Sequence, residues 1–468
     1  MKSHRRLSQP ASWDYKFLID TLDYIRDTHL GGITLRLFTF KTALALGVGI
    51  TALSGWTSSV RADDAPPVPA IPALPAGPGP ATQPPAAPGT AVPAPTQPAA
   101  PAAAAAPPNY KLQYNGLIDA YYLFNFANPK DVSAGAGETY YDIRHNSPAL
   151  SLAEINVFAN AAPKHFGYKA TFMTGDTADI NHADFMGASH GLGEARYKNV
   201  QQLYGTYSLS ADGAGIDLGK FYTPFGYEVT ESNGNYNYSR STAFNYVPFY
   251  NAGARIYTPV PGLPALTATL YLVNGVFNTT TMGVANDSKR LGYMGQLNYT
   301  DPKGKFTLIS ELGLDKQKFY GSGGPDTKVV VNDNNLTYNF NANSLAGLDY
   351  VYRQTKPNGG GKETVNAYAV YFRQQLNAKN AIALRYSGAE DKYEGGTVVA
   401  PDGTARPYDI TATYEIKSTA NFLTRVEYRH DHINYNNGAN PGFYGGNSIA
   451  DRSDQNTISL SGVFTFGQ

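Results

Sequence analysis

The chain has 468 residues, of which 16% are charged, and it contains 35 Tyr, 22 Phe, 47 Gly and no Cys. A mean hydropathy of −0.33 excludes a bundle of membrane-spanning helices, because each helix would need about 20 mostly apolar residues. The absence of Cys excludes disulfide frameworks and thiolate metal sites. The balance of 37 basic against 37 acidic residues argues against a nucleic-acid-binding protein. The composition therefore favours an aromatic, glycine-rich chain of β character.

The N-terminal 62 residues have the pattern of an export signal. Arg36 and Lys41 precede an apolar run over residues 42–52, and the small residues Val60 and Ala62 occupy the −3 and −1 positions of a cleavage site. The apolar run is too short to span a bilayer as a helix. We therefore predict that residues 1–62 are a signal peptide with an N-terminal extension, and that both are removed.

Two features of this N-terminal region leave alternatives open. The extension over residues 1–34 is either upstream of the true start of translation or an export adaptor. Residues 63–109 are rich in Pro and Ala and predict an extended, disordered linker, because such a composition cannot bury a core. The linker is either a passive periplasmic spacer or a segment that binds peptidoglycan or a proline-recognising partner.

From residue 110 onward, apolar and polar residues alternate with a period of two. Over residues 112–126, Ile118 and Phe124 belong to the apolar set and Asp119 to the polar set. Strands of about 10 residues, separated by alternately short and long connections, are typical of an outer-membrane barrel. Seven short and eight long connections alternate along the chain and join sixteen such strands. The sequence therefore predicts an all-β fold, a closed antiparallel transmembrane β-barrel of about sixteen strands over residues 110–468.

If the apolar positions face lipid, the residues of opposite parity face the lumen. Lys or Arg at the lipid midplane would cost about 2–4 kcal/mol, so charged residues favour the lumen. The predicted pore-lining residues are Asp119, Glu154, Lys169, Arg255, Glu311, Arg373, Arg385, Glu415, Arg425, Glu427 and Arg429. They either form ion-pair ladders or contact solute, and both can hold, because a charged ladder still sets the field in a water-filled pore.

A tube of sixteen strands is too wide for side chains alone to fill, so another element must set its bore. The third long connection, residues 224–248, is the candidate. It contains Glu228, Glu231 and Arg240, which become candidate constriction residues if the loop folds inward. The alternative is an ordinary external loop.

Lys220 breaks the alternation. Ile216 and Leu218 point outward, and strict parity places Lys220 on the same face. Either a β-bulge at Gly219 reverses the parity, which is the favoured interpretation, or Lys220 lies beyond the hydrocarbon edge.

Four segments resemble a known family, the OmpL-like β-barrel porins. They are residues 219–228 (GKFYTPFGYE), 237–241 (NYSRS), 248–250 (PFY) and 425–431 (RVEYRHD). The resemblance covers roughly residues 112–466 and implies an outer-membrane porin for small solutes. The sequence departs from the family pattern in having Asn251 where His is expected, and in ending on Gly-Gln rather than on an aromatic residue.

Three motifs of catalysis or metal binding are present but lack their structural context. Residues 187–191 (GASHG) match a nucleophile-elbow pattern, yet they lie in a polar loop rather than between a strand and a helix. Asp179, His182 and Asp184 form a weak metal pattern, and residues 359–362 lack the spacing of a phosphate loop. We predict no enzymatic activity and no cofactor.

These observations predict a porin in the outer membrane of a Gram-negative cell, with both termini in the periplasm. It would form a water-filled channel for passive diffusion of small hydrophilic solutes. The alternative is a closed barrel that acts as an adhesin or scaffold, which salt-bridged occlusion of the lumen would favour. The expected partners are outer-membrane lipid and lipopolysaccharide, the solutes, peptidoglycan through the linker and, by analogy with other sixteen-stranded porins, two further copies of the chain in a homotrimer.

Overall fold

The structure is a computed structural model that describes residues 111–129, 139–181, 199–277, 290–318, 326–395, 402–435, 443–444 and 450–467. The predicted signal peptide over 1–62 and the linker over 63–109 lie outside these ranges, and both stay predictions. The 187–191 motif and two of the three weak metal-pattern residues, His182 and Asp184, also lie outside them.

The described ranges contain sixteen long antiparallel strands. They are β1 (Gln113–Asn125), β2 (Ala149–Ala159), β3 (Phe166–Thr174), β4 (Val200–Ser208), β5 (Gly215–Tyr222), β6 (Tyr250–Val260), β7 (Leu263–Val273), β8 (Gly292–Thr300), β9 (Phe306–Lys318), β10 (Asp326–Asn341), β11 (Ser344–Pro357), β12 (Lys362–Gln375), β13 (Asn380–Glu394), β14 (Gly403–Thr419), β15 (Phe422–Tyr435) and β16 (Asp454–Gly467). A short helix, α1 (Asp176–Asn181), follows β3, and a small two-stranded ribbon pairs Phe443–Tyr444 with Ala450–Arg452.

The sixteen strands close into a single barrel. Each strand pairs with its neighbours in chain order, and β1 also pairs with β16, where Tyr122 lies opposite Leu460. Closure leaves no strand edge with unpaired backbone groups facing hydrocarbon. The predicted sixteen-stranded antiparallel barrel is confirmed.

Burial alternates along the strands as the sequence pattern predicts. On β5, Leu218 is 69% exposed while its neighbour Asp217 is fully buried. On β14, Ile410 is exposed while Thr411 is buried. The large exposed side chains are aliphatic and aromatic, as a lipid-facing surface requires, and the polar set points into the barrel.

Strands β10 to β15 are longer than the sequence pattern predicts, with 14 to 17 residues each. The sequence pattern places long connections near residues 354–363 and 390–406, but residues 354–357, 362–363, 390–394 and 403–406 of these stretches are strand. Both faces of these extensions meet water beyond the bilayer, so the alternation that marks a membrane strand is lost there. Ion pairs support the extensions instead, such as Lys362 with Glu394 at 2.8 Å.

The predicted β-bulge at Gly219 is wrong. The pairing of β5 with β4 and with β6 runs through Gly219 without a shift of register, and Gly219 adopts a φ of +141°. The Lys220 ammonium donates to the carbonyl oxygen of Val200 at 2.6 Å and lies 3.8 Å from the centre of the Tyr250 ring. Because Val200 begins β4 directly after a long connection, the amine lies at the rim of the barrel, which agrees with the second alternative.

Gly219→Ala is expected to destabilise the barrel. A Cβ at this position would lie 2.2 Å from the carbonyl oxygen of Leu203, and the positive φ disfavours any side chain. We expect the free energy of unfolding to fall by about 1–3 kcal/mol, measured by urea unfolding in lipid vesicles. Gly205→Ala is the matched control, because its Cβ would meet only the carbonyl oxygen of Gly167, at 3.9 Å. Equal stability of the two variants would contradict this prediction.

Candidate functional site

The connection from β5 to β6, residues 223–249, folds into the lumen, and we name it the inner loop. Its two ends meet where the backbone N–H of Thr223 donates to the carbonyl oxygen of Phe249 at 3.3 Å. Between them the loop makes two short 3₁₀ turns, Ser232–Gly234 and Thr242–Tyr246. The loop crosses the barrel and reaches strands on the far side, where Glu228 contacts Arg385 of β13.

Part of the contact between the inner loop and the barrel is apolar. Phe225, Tyr227 and Phe244 of the loop belong to one buried cluster with small and apolar residues on the lumen side of the barrel, among them Val331, Val351, Val365, Ala367 and Ala369. The ring of Tyr227 stacks on Tyr371 with centroids 4.7 Å apart. The loop therefore packs against an apolar patch on the lumen side of β10 to β12, beside the hydrogen bond from its Gly226 N–H to Asp333 of β10.

Three buried arginines on β13 and β15 hold the inner loop from the wall next to β12, which lies across the lumen from β5. We name them the arginine clamp: Arg385, Arg425 and Arg429. Arg385 donates to Glu228 of the loop at 3.0 Å and to the carbonyl oxygen of Ser239 at 2.6 Å. Its Nε donates to Asp409 of β14 at 2.9 Å. The guanidinium thus joins a loop carboxylate to a wall carboxylate in a site closed to solvent.

The other two clamp residues bind the backbone of the inner loop. Arg425 donates to the carbonyl oxygens of Ser232 at 2.8 Å and Asn235 at 2.6 Å. Arg429 donates to the carbonyl oxygen of Arg240. Charge-assisted hydrogen bonds of this kind are stronger than neutral ones, so the clamp fixes the path of the loop and not only one side chain.

Wall carboxylates accept hydrogen bonds from the same part of the loop. Asp119 of β1 accepts from the hydroxyl of Ser232 at 2.6 Å and from the hydroxyl of Tyr238 at 3.1 Å. Glu427 of β15 accepts from the backbone N–H groups of Tyr238 at 2.5 Å and Ser239 at 2.9 Å. These contacts extend the attachment of the loop from β15 to β1.

The three predicted constriction residues all lie in the inner loop but have different surroundings. Glu228 is buried against the arginine clamp. Arg240 is buried and holds the loop together by donating to the carbonyl oxygen of Val229 at 3.0 Å. Glu231 is partly exposed and accepts from the hydroxyl of Tyr222 at 2.6 Å. Glu231 is therefore the one of the three that solute can approach in this arrangement.

Three predicted lumen residues lie on β2, β3 and β6, close to where the inner loop leaves the wall. Arg255 donates to Asp217 at 2.7 Å. Glu154 is within 3.5 Å of the hydroxyl of Tyr222. Lys169 is partly exposed, and its charged neighbours are Glu231, Glu154 and Arg255. Charges of both signs therefore meet on this side of the loop.

The other predicted lumen residues also have the inward parity. Arg373 donates to Glu415 at 2.8 Å, and Glu415 also pairs with the clamp residue Arg425 at 3.1 Å. Glu311 accepts from the side-chain amide of Gln296 at 3.0 Å. All eleven predicted positions thus carry the lumen-side parity; that they contact solute stays a prediction.

The prediction missed several buried carboxylates that contact the site. Asp409 bonds Arg385 and the backbone N–H of Thr242, and Asp333 accepts from the backbone N–H of Gly226. Asp217 pairs with Arg255. Asp409 shares the parity of the predicted lumen residue Glu415 on β14, and Asp217 lies between the outward-facing Ile216 and Leu218 on β5. A strict count of alternate positions would therefore have included both.

Within the described ranges, no group of three or more His, Asp or Glu side chains has the arrangement of a metal site. In the same part of the chain, no helix has the length and apolar character to cross a bilayer.

A closed sixteen-stranded barrel with a loop bound in its lumen by charged wall residues defines a porin-type channel. The family model described as "Putative beta-barrel porin-2, OmpL-like" matches residues 111–466. The chain belongs to this family of outer-membrane β-barrel porins, as the resemblance in the sequence implied, and its role is that of a channel.

Solved structures show the same fold at low sequence identity. An anion-selective porin from Comamonas acidovorans aligns with a TM-score of 0.52 at 12% identity, over 76% of this chain and 99% of that chain. OmpT, an outer membrane protein of Vibrio cholerae, aligns at 0.51 and 10% identity, over 76% and 97% of the two chains. A trimer form of OmpT aligns at 0.50 and 9% identity, over 76% and 99%. No curated protein sequence matches the chain.

Proposed function

We propose that this porin conducts small hydrophilic solutes by passive diffusion between the inner loop and the wall formed by β2 to β6. The observation that supports this path is the difference between the two sides of the loop. On the side of the arginine clamp, Arg385 and Glu228 are buried in direct contact. On the other side, Glu231 and Lys169 are partly exposed and carry opposite charges, so water and polar solutes can reach them.

Conductance of the refolded protein in a planar lipid bilayer tests the channel. We expect stable ohmic steps from protein whose electrophoretic mobility changes on heating, as a folded barrel requires. Protein that is folded by this criterion but never conducts would contradict the proposal.

Lys169→Glu tests the path, because it reverses one charge on the proposed side of the loop. We expect the reversal potential in a salt gradient to shift towards cation selectivity. Lys328→Glu makes the same charge change on β10 at an exposed position of outward parity and should leave the reversal potential unchanged. An equal shift in both variants, or in neither, would rule out a path along β3.

The second candidate is a closed barrel that serves as an adhesin or scaffold. The buried ion pairs between the inner loop and the wall favour it, because they fill one side of the lumen. A closed barrel would show no conductance in the bilayer experiment, although it would assemble normally in the outer membrane.

The remaining parts of the chain take roles that fit a porin. We propose that residues 1–62 direct export and are removed, and that the linker over 63–109 extends into the periplasm, where it contacts peptidoglycan. The short connections and both termini of the barrel would then face the periplasm, and the rim at the long connections would face lipopolysaccharide. We propose no catalytic activity.

We also propose that the chain forms a homotrimer. A trimer form is described for OmpT of Vibrio cholerae.

A further inference from the structure

Three polar side chains form a hydrogen-bonded row on the lipid-facing side of β9 and β10. We name them the polar ladder: Ser310, Asn332 and Asn334. Ser310 Oγ donates to Asn334 Oδ1 at 2.8 Å, and Asn334 Nδ2 donates to Asn332 Oδ1 at 2.7 Å. Asn332 Nδ2 donates to the carbonyl oxygen of Glu311 at 2.7 Å. The three side chains are partly exposed and alternate with buried lumen-side residues such as Asp333.

The polar ladder lies in the middle of the apolar band of the barrel. At the short-connection end, Phe306 of β9 pairs with Tyr338 of β10, and towards the other end Lys316 pairs with Lys328. Aromatic girdles mark the interface of a membrane barrel, and about 9–11 residues cross the hydrocarbon. The aromatic pair and the lysine pair are separated by that length. The ladder lies between them and therefore at the depth of the lipid chains.

Polar groups at this depth are costly unless they are fully paired. An Asn amide has two N–H donors, and Asn332 and Asn334 each use one of them in a hydrogen bond among the described residues. An N–H that meets only hydrocarbon loses its hydrogen bond to water without replacement. On other strands, Leu218, Leu270 and Leu384 face outward and are aliphatic.

We propose that the polar ladder is the contact through which a second copy of this chain packs against the barrel inside the membrane. This rests on the homo-oligomer proposed above and assigns its interface to β8–β10. The ladder carries no charge, so it does not match a lipid phosphate. Its depth requires a partner that crosses the same apolar band, as another copy of the barrel does. Beside it, a Cβ added at Gly295 of β8 would meet only a side-chain carbon of Leu270, at 3.9 Å, so a partner can approach the backbone of β8 closely there.

The double variant Asn332→Leu with Asn334→Leu tests this assignment. The full chain is extracted from outer membranes in mild detergent and sized by light scattering at one fixed protein concentration. We expect at least a tenfold fall in the ratio of oligomer to monomer, because the paired amides are lost. Asn456→Leu is the matched control: Asn456 lies on β16, across the barrel, and bonds the hydroxyl of Tyr428. This control should leave the ratio unchanged.

The outcomes separate the interface from the oligomer itself. If the wild-type protein is an oligomer and the double variant remains one, with a higher urea midpoint, the ladder faces lipid and the proposal is overturned. If the wild-type protein is monomeric in the native membrane, the homo-oligomer itself is overturned.

A second measurement tests the proposal even if the double variant does not fold. The chain has no Cys, so fluorophores can be placed singly by Ser310→Cys and Ile458→Cys. Brominated lipid should quench the label at 458 strongly and the label at 310 weakly, and equal quenching would overturn the proposal.

Discussion

Arg385→Met should release the inner loop from the wall, lower the free energy of unfolding and raise the single-channel conductance. Arg385 is buried and pairs with Glu228 of the loop and Asp409 of the wall. Removing one partner of a buried ion pair typically costs about 3–5 kcal/mol, because the remaining charges are left without compensation. Glu228 can regain hydration only if the loop moves away from β13, and that movement opens a second water-filled gap on the clamp side of the loop.

Urea unfolding in lipid vesicles and conductance in planar bilayers measure the two effects together. Arg406→Met is the matched control: Arg406 pairs with Glu390 at 2.8 Å, but both side chains are about half exposed. A surface pair of this kind contributes about 0–1 kcal/mol, so this variant should behave like the wild-type protein. A loss of stability in Arg385→Met without any change in conductance would show that the loop stays in place without the clamp.

The barrel could be predicted from the sequence because its cause is local. Each residue of a membrane strand meets either lipid or the lumen, so the alternation of Ile216, Asp217 and Leu218 reports the environment directly. Closure then follows from the requirement that no strand edge faces hydrocarbon. The lengths of β10 to β15 escaped prediction for the same reason, because beyond the bilayer both faces meet water and the alternation ends.

The position of the inner loop depends on contacts between residues far apart in the chain, and these have no local pattern. Arg385 reaches Glu228, and Arg425 reaches Ser232, across the lumen. One local signal does exist. Val365 and Ala367 occupy lumen-side positions of β12 and are fully buried and apolar, although a water-filled barrel favours polar residues there. Apolar lumen positions on adjacent strands therefore indicate where a loop packs inside a barrel.

Excision of the inner loop should have the largest effect on conduction. The ends of the loop are hydrogen-bonded to each other at Thr223 and Phe249, so a short Gly-Ser turn can replace residues 224–248. The backbone pairing between barrel strands includes none of the excised residues. We therefore expect the strands still to fold. Single-channel conductance should rise several-fold, because water replaces the loop across the width of the barrel.

The excised barrel should also prefer cations. Glu311, Asp333 and Asp349 lie on neighbouring strands β9 to β11, and the described part of the chain shows no ion pair for any of them. In the open lumen these carboxylates would face water and contribute negative charge at neutral pH, whereas Arg385 keeps its partner Asp409 on the wall. Adding Glu311→Gln, Asp333→Asn and Asp349→Asn to the excision should remove the preference, measured as the reversal potential in a salt gradient. Anion preference in the excised barrel would show that the arginine clamp, once released from the loop, outweighs the acidic wall.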